Sequence, residues 1–157
     1  MTARQVTQVC YVSQRAHGLS DTAIVDRIVL PSLARNRAAN IRGCLWFNST
    51  TFLQVLEGDD KSVRRLLGKI LHDSRHDSVE ILLDRTVETG DFDRFSMRKL
   101  GPDIPTEVHC LLDRATLGMP FRVAESKSRD PSATDFLDRA IGIIAQWCSV
   151  VSAGGHR

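Results

Sequence analysis

Two polar side chains stand within predicted β-strands, where apolar residues are expected. Gln54 lies in the run FLQVLEG, and Tyr11, the only tyrosine of the chain, lies in the run VTQVCYVS. Strand alternation places Gln54 between two large apolar residues on one face. A buried amide without a hydrogen-bond partner costs about 1–3 kcal/mol, whereas a phenol and an amide on adjacent strands can bond to each other or to a shared third group. The pair therefore predicts either a satisfied core contact or two groups that reach a bound polar ligand.

Three further polar residues lie at the ends of predicted helices. Asn36 falls at the C-terminal end of the first helix, and Arg75 and His76 follow the second. If the two helices lie side by side on a sheet, these groups flank the groove between them. A planar heterocycle in that groove would bond the amide at its edge, and the cations would bind any phosphates. Taken singly, each is an ordinary helix-end residue.

The composition and the motifs that the sequence lacks argue against several other functions. The 157 residues, 42% hydrophobic and 25% charged, predict one globular domain with room for a terminal appendage. A net charge of +2 gives no case for nucleic acid or an anionic membrane. The sequence has no GxGxxG or P-loop pattern, no nucleophile elbow and no apolar run of about 20 residues. Because its start also lacks a signal-peptide core, we expect a cytoplasmic protein.

The cysteines and the acidic run LEGDD favour structural roles. No CxxC pair is present, and no cysteine lies at metal-ligand spacing from a histidine, which argues against a zinc site. In a cytoplasmic protein we expect reduced thiols that serve packing. The run LEGDD is typical of a strand end followed by a helix cap. The cysteines are Cys10, Cys44, Cys110 and Cys148.

The predicted elements follow the order β-α-β-β-α-β-β, which indicates an α+β protein of the ferredoxin-like type. We expect one mixed five-stranded sheet with two helices on one face. Ser20 or Asp21 caps the first helix, in which Pro31 predicts a kink or a break. The second helix follows a cap at 59–60. The predicted strands cover 6–13, 44–48, 51–58, 79–88 and a short stretch around 95–97.

The tail from 101 to 157 is predicted to be a helical extension of a domain that covers 1–100. Residues 107–117 favour a short helix, and 121–132 are polar. A second helix begins at Pro131 and carries a wide apolar face that needs a partner surface. It can cover the second face of the sheet or form a contact in a homo-oligomer.

With these residues placed, the sequence resembles the BLUF domains, the blue-light sensors that use FAD. The resemblance runs from about Val6 to Leu100. Each motif alone is weak, but their order and joint presence are specific. The motifs are CYVS (10–13), LARNRAANIRG (33–43), GCLWFNSTTFLQVLEG (43–58), DSRHDSVEIL (73–82) and FDRFSM (92–97).

The resemblance implies a flavin held non-covalently between the two helices, with FAD favoured and FMN as the alternative. The light-sensing tyrosine of the family falls on Tyr11, its key glutamine on Gln54 and its last-strand methionine on Met97. In the family mechanism, Tyr11 gives an electron and then a proton, which Gln54 relays. Gln54 is left rotated or tautomerised, and the flavin absorption shifts to the red. The cofactor-binding positions that the resemblance implies are Ser32, Arg35, Asn36, Gln54, Asp73, Arg75 and His76.

One departure from the family and several alternatives bear on this interpretation. Many family members carry tryptophan where this chain has Phe95, so hydrogen bonding between an indole and Gln54 does not apply here. We expect a sensor that has no enzymatic activity and signals through the sheet and the C-terminal helices to a separate, unidentified protein. The alternatives are a light-insensitive ferredoxin-like scaffold that binds proteins and, more remotely, a small acylphosphatase-like hydrolase.

Overall fold

Five strands form one mixed sheet in the computed structural model, which describes residues 5–101, 103–116 and 131–153. The strand order is β4-β1-β3-β2-β5. β3 is antiparallel to both β1 and β2, β4 is antiparallel to β1, and β5 is parallel to β2. This arrangement confirms the predicted α+β, ferredoxin-like fold with an added fifth strand. The strands are β1 (Val6–Arg15), β2 (Arg42–Phe47), β3 (Thr51–Gly58), β4 (His76–Val87) and β5 (Phe95–Lys99).

One face of the sheet carries the two predicted helices, and the first of them contains a π-helical segment. This helix runs through α1 (Asp21–Ile24), the π-helical segment Val25–Val29 and α2 (Leu30–Ala38). The Ser20 side chain caps its start, as predicted. Pro31 has no N–H to donate, and the helix does not break there. Instead the π-helical segment precedes the proline, and the Leu30 N–H bonds to the Val25 carbonyl, five residues back.

The second helix on this face, α3 (Asp60–Leu71), begins at a cap formed by the Asp59 side chain, which accepts a hydrogen bond from the Ser62 N–H. Alternate strand residues point toward the helices and form an apolar core with them. The buried members of this core are Val9, Tyr11, Ile24, Ile41, Leu45, Phe47, Phe52, Leu56, Val63, Leu67 and Phe95.

The C-terminal helices α4 (Thr106–Thr116) and α5 (Pro131–Ala153) pack on the opposite face of the sheet. The predicted cover of this face is therefore confirmed, whereas the polar run before Pro131 lies outside the described residues. The division of the chain into two domains at residue 100 stays a prediction. The core between the sheet and these helices includes Cys10, Val12, Cys44, Trp46, Leu53 and Val55 from the strands, with Val108, Leu111, Leu112, Leu137, Ala140, Ile141 and Ile144 from the helices.

The sequence predicted only that Glu57 lies at the end of a strand. In the structure, its side chain also connects β3 to other segments. Its side chain is fully buried on the face that α4 and α5 cover. The Gln8 side chain donates to Glu57 Oε2 over 2.6 Å, and the backbone N–H groups of Asp91 and Phe92 donate over 2.8 and 2.9 Å. A methyl group on Gly90 would lie only 2.6 Å from Glu57 Oε1. The carboxylate thus ties β3 to β1 and to the segment between β4 and β5.

Candidate cofactor-binding site

A single row of paired residues crosses the centre of the sheet. Tyr11 on β1 is paired with Gln54 on β3 and with Ile81 on β4. Gln54 is paired in turn with Leu45 on β2, and Leu45 with Met97 on β5. The Tyr11 hydroxyl donates a hydrogen bond to Gln54 Oε1. This is one of the two arrangements that the sequence left open for the pair, a direct hydrogen bond between the phenol and the amide.

A cavity of about 90 Å³ lies over this row, between the sheet and the helices. The structure brings Tyr11 and all of the predicted cofactor-binding residues to its lining. Their binding of a cofactor stays a prediction. The residues that line the cavity are Tyr11, Ile28, Ser32, Arg35, Asn36, Leu45, Phe52, Gln54, Leu66, Lys69, Ile70, Asp73, Arg75 and His76.

Two amide groups in the cavity lining have unused hydrogen-bonding capacity. Asn36 is only 3% exposed, and its side chain forms no hydrogen bond with any residue that the structure describes. Gln54 is 5% exposed, and among the described residues its Nε2 group has no acceptor. Both amides line the cavity, where a bound group can reach them. The two amides therefore fit a ligand whose edge carries hydrogen-bond donors and acceptors, as an isoalloxazine ring does.

Asp73 and Arg75 form an ion pair with each other at the edge of the cavity. Arg75 Nε donates to both Asp73 carboxylate oxygens, over 2.8 and 3.0 Å, and Arg75 Nη1 donates to the Arg27 carbonyl over 2.9 Å. Hydrogen bonding from Arg75 lowers the pKa of Asp73, despite partial burial. Because its donors are engaged, Arg75 supports the turn before β4, and we do not expect it to be a free phosphate ligand.

His76 is also held by the protein. Its Nε2 lies 2.7 Å from the Ile70 carbonyl oxygen, so this nitrogen carries a proton, and the Ser13 hydroxyl lies 2.7 Å from Nδ1. The ring meets the edges of Tyr11 and Phe52, each with a centroid separation of 6.1 Å. His76 is therefore a wall of the cavity next to Tyr11, with its polar atoms turned to protein partners.

Burial controls the ionisation of Tyr11. The side chain is 3% exposed, and burial, followed by the charge of Asp73 and by Cys10, raises its pKa far above the ordinary value. The tyrosinate form is therefore strongly disfavoured in the folded protein. A Tyr11 side chain that loses an electron must also release its proton, and Gln54 Oε1 is the acceptor to which that proton is already bonded.

Two cationic side chains near the mouth of the cavity, Arg65 and Lys69, were not predicted as site residues. A second cavity of about 380 Å³ adjoins the first, and Arg35, Asn36 and Lys69 line both. Arg65 also lines the second cavity, and the lining that the structure describes there contains no carboxylate. Arg65 and Lys69 are four residues apart, so they share one face of α3. This spacing is visible in the sequence, but only the structure shows that the two cations line the same cavity as Arg35.

Met97 stands apart from the other predicted site residues. It belongs to the same apolar core as Tyr11, but it does not line the cavity. β2 lies between β3, which carries Gln54, and β5, which carries Met97. Leu45 separates the two residues in the register. Phe95, at the position where many family members have tryptophan, is buried in the same core.

The fold and the cavity together define a small α+β protein with a cavity between its sheet and two helices and a tyrosine–glutamine pair in the cavity lining. The sequence model of the BLUF family, described as sensors of blue light using FAD, matches residues 6–98. This is more than half of the 157 residues, and the chain belongs to the BLUF family.

Individual proteins are similar to this chain over part or most of its length. A 77-residue segment is 42% identical to the photoactivated adenylate cyclase subunit alpha of Euglena gracilis and covers 48% of this chain but 7% of the relative. The solved structure of BlsA in its photo-activated state matches with 22% identity and a TM-score of 0.65, covering 89% of this chain and 94% of BlsA. Klebsiella pneumoniae BlrP1 with FMN and cyclic diGMP matches with 25% identity and a TM-score of 0.59, covering 88% of this chain and 35% of BlrP1.

None of the helices among the described residues is long and apolar enough to cross a membrane. The same part of the chain contains no cluster of histidine, cysteine and carboxylate side chains suited to a metal ion.

Proposed function

We propose that this chain is a blue-light photoreceptor that holds a flavin non-covalently between α2 and α3. The observation that carries the proposal is the arrangement of three side chains at the cavity. Tyr11 donates to Gln54 Oε1, while Gln54 Nε2 and the Asn36 amide remain open toward the space where the ligand would lie. Both amides line the cavity, so a ligand there could supply the hydrogen-bond partners that the described protein residues do not.

A bound flavin supplies the absorption of blue light and, when excited, a strong oxidant. Tyr11 is the group that is oxidised in the proposal. Because burial disfavours its charged forms, the hydroxyl proton leaves along the existing hydrogen bond to Gln54 Oε1. The proton movement therefore needs no rearrangement of the backbone and no water.

Gln54 is suited to hold the signalling state because its side chain has a donor end and an acceptor end on one planar group. Rotation or tautomerisation exchanges the two ends. In either arrangement one end faces Tyr11 and the other faces the cavity, so both arrangements are hydrogen-bonded. Asn36 is the second amide at the cavity, and we propose that it holds the polar edge of the ring in place.

We propose FAD as the flavin. The second cavity would accept the phosphates and the remainder of the cofactor, since Arg35, Arg65 and Lys69 line it without a carboxylate among the described lining residues. FMN is the alternative, and one solved structure of BlrP1 is of that protein with FMN. Chromatography of the flavin released from the purified protein distinguishes the two cofactors directly.

We propose that the chain acts as a cytoplasmic sensor without enzymatic activity of its own, and that its signal reaches a separate protein or a second copy of the chain. β2 carries Leu45 on the cavity face, and its neighbouring residues Cys44 and Trp46 belong to the core that α5 covers. A change at Gln54 can therefore reach α5 through one strand. A relative is named as a subunit of an adenylate cyclase, which supports a role in controlling an effector.

The test is a visible spectrum of the purified protein before and after blue light. We expect flavin bands that shift to the red and recover in the dark. Tyr11→Phe and Gln54→Leu should both keep the flavin and lose the normal red shift, whereas Gln146→Leu, which changes an exposed glutamine on α5, should keep it. A protein that remains colourless after incubation with FAD, or variants at both positions with an unchanged red shift, would refute the proposal.

A further inference from the structure

A continuous set of polar side chains crosses the face of the sheet that α4 and α5 cover. The register pairs Glu57 on β3 with Gln8 on β1, and Gln8 with Arg85 on β4. Gln8 Nε2 donates to Glu57 Oε2 over 2.6 Å, and Gln8 Oε1 accepts from Arg85 Nε over 2.8 Å. Arg85 Nη1 donates in turn to the carboxylate of Asp138 on α5. These four residues, here called the polar network, connect β3 to α5 through side-chain hydrogen bonds alone.

The inner half of the polar network is shielded from water, and the outer half is not. Glu57 and Gln8 are fully buried, whereas the side chains of Arg85 and Asp138 are 27% and 46% exposed. A buried polar contact is costly to break because its groups lose their partners without gaining water. An exposed ion pair is worth much less, since water and salt screen it. The polar network is therefore firmly held at β3 and weakest where it meets α5.

The amide of Gln8 has only one favourable orientation. Its Nε2 group donates to two carboxylates, those of Glu57 and of Asp91, the second over 2.8 Å. Its Oε1 atom faces the guanidinium of Arg85. Rotation by 180° would turn the amide oxygen toward both carboxylates and the amide hydrogens toward a group that cannot accept a hydrogen bond. Gln8 therefore differs from Gln54, and a displacement of Glu57 must move its partners rather than be absorbed by rotation of the amide.

Glu57 also has little freedom to shift independently of its backbone. The N–H groups of Asp91 and Phe92 hold both of its carboxylate oxygens. A methyl group on Gly90 would lie only 2.6 Å from Oε1, so the backbone of this segment packs directly on the carboxylate. Glu57 follows Gln54 by three residues on the same strand. A change in β3 near Gln54 therefore reaches the carboxylate through a short length of backbone.

We propose that the polar network is one coupled unit that carries a displacement of β3 to α5. The proposal rests on the proposed function for its origin, the rearrangement of Gln54, and it adds a second route beside the one through β2. In the dark state the network holds α5 on the sheet. When β3 shifts, the exposed pair of Arg85 and Asp138 is the contact that breaks, and α5 loosens.

The first test measures the coupling without light or flavin. Glu57→Gln, Arg85→Met and the double variant are unfolded in urea in the dark. If the two residues act independently, their fold-changes in the unfolding equilibrium constant multiply. Because both bond to Gln8, we expect the double variant to depart from that product by about threefold or more.

Arg64→Met is the matched control for this cycle. Arg64 forms an ion pair of similar exposure with Asp84, which precedes Arg85 on β4, but it lies on α3 and outside the polar network. Its combination with Glu57→Gln should give the simple product of the two fold-changes. Fold-changes that also multiply for Glu57→Gln and Arg85→Met would overturn the inference.

The second test measures hydrogen–deuterium exchange by mass spectrometry on the flavin-loaded protein, in the dark and under blue light. In the wild type, peptides from 136–148 should exchange faster in the light by up to about fivefold, the change that loss of one exposed ion pair produces. Arg85→Met should keep the red shift, show the faster exchange already in the dark and gain no further increase in the light. Arg64→Met should behave like the wild type in these peptides.

The outcomes separate this inference from the proposed function. A wild type with a red shift but unchanged exchange in α5, or an Arg85→Met variant that retains the light-dependent increase, would overturn the inference and leave the proposed function intact. A wild type without a red shift would refute the proposed function, and the unfolding cycle then decides the coupling by itself. The exchange measurement on the wild type needs no substitution, so a variant that misfolds does not prevent a decision.

Discussion

The buried hydroxyl of Tyr11 predicts a specific loss of stability at alkaline pH. Burial raises the pKa of Tyr11 far above the ordinary value of a tyrosine, which is about 10. The folded protein therefore keeps the Tyr11 proton, whereas the unfolded chain loses it above about pH 10. The contribution of this proton to stability is complete below the pKa of the unfolded state. It declines as the pH rises from there toward the pKa of the folded state.

The magnitude follows from linkage. One proton retained only by the folded state lowers the free energy of unfolding by about 1.4 kcal/mol for each pH unit above about pH 10. By pH 12 the loss amounts to roughly 2–3 kcal/mol. Cys10, whose pKa burial raises to about 12, adds a similar dependence that begins at lower pH. Comparison with Tyr11→Phe removes this contribution, because both proteins contain Cys10.

The assay measures urea unfolding of the wild type and of Tyr11→Phe between pH 9 and about pH 12, in the dark. Above about pH 10, the free energy of unfolding of the wild type should fall relative to that of the variant by about 1.4 kcal/mol per pH unit. Tyr11 is the only tyrosine, so the ultraviolet absorbance of tyrosinate reports this residue alone. The tyrosinate absorbance should appear only as the protein unfolds. A native protein that forms tyrosinate near pH 10 without unfolding would refute the reasoning.

Two further predictions concern buried polar groups. Glu57→Gln should lower the free energy of unfolding, measured by urea denaturation, by about 2–4 kcal/mol. The carboxylate accepts hydrogen bonds from N–H groups, whereas the NH2 group of glutamine is itself a donor and cannot accept them. Glu88→Gln, at an exposed position, should change it by less than about 0.5 kcal/mol, and equal effects of the two substitutions would contradict the role of Glu57. Asn36→Ala should weaken flavin retention during purification, and full occupancy in the absorbance ratio of flavin to protein would count against its place at the ring edge.

The elements and the central contact of the site could be predicted from the sequence because they depend on local patterns. Alternation placed Tyr11 and Gln54 at inward-facing positions of their own strands, and the element order of a ferredoxin-like fold was consistent with neighbouring strands. The cap at Asp59 follows from the residue type at the start of an amphipathic run. These signals need no knowledge of distant contacts.

Other features depend on contacts between distant segments and could not be predicted in this way. Glu57 has the sequence of an ordinary strand end, and its burial depends on the backbone of 91–92 folding over it. Trp46 and Trp147 are 101 residues apart in the sequence, and their ring centroids lie 6.3 Å apart only because α5 packs against the sheet. The sequence also could not show that Arg75 and His76 direct their polar atoms to protein partners.

The π-helical segment Val25–Val29 changes the direction in which the later residues of the first helix point around the helix axis. An α-helix turns by about 100° per residue, so Ile24 and Asn36 would lie about 120° apart around a regular helix. A π turn takes up one additional residue, which reduces their angular separation to about 20°. The extra residue therefore allows Ile24, in the first turn of the helix, and Asn36, in its last turn, to face nearly the same direction. Ile24 packs in the core, and Asn36 lines the cavity.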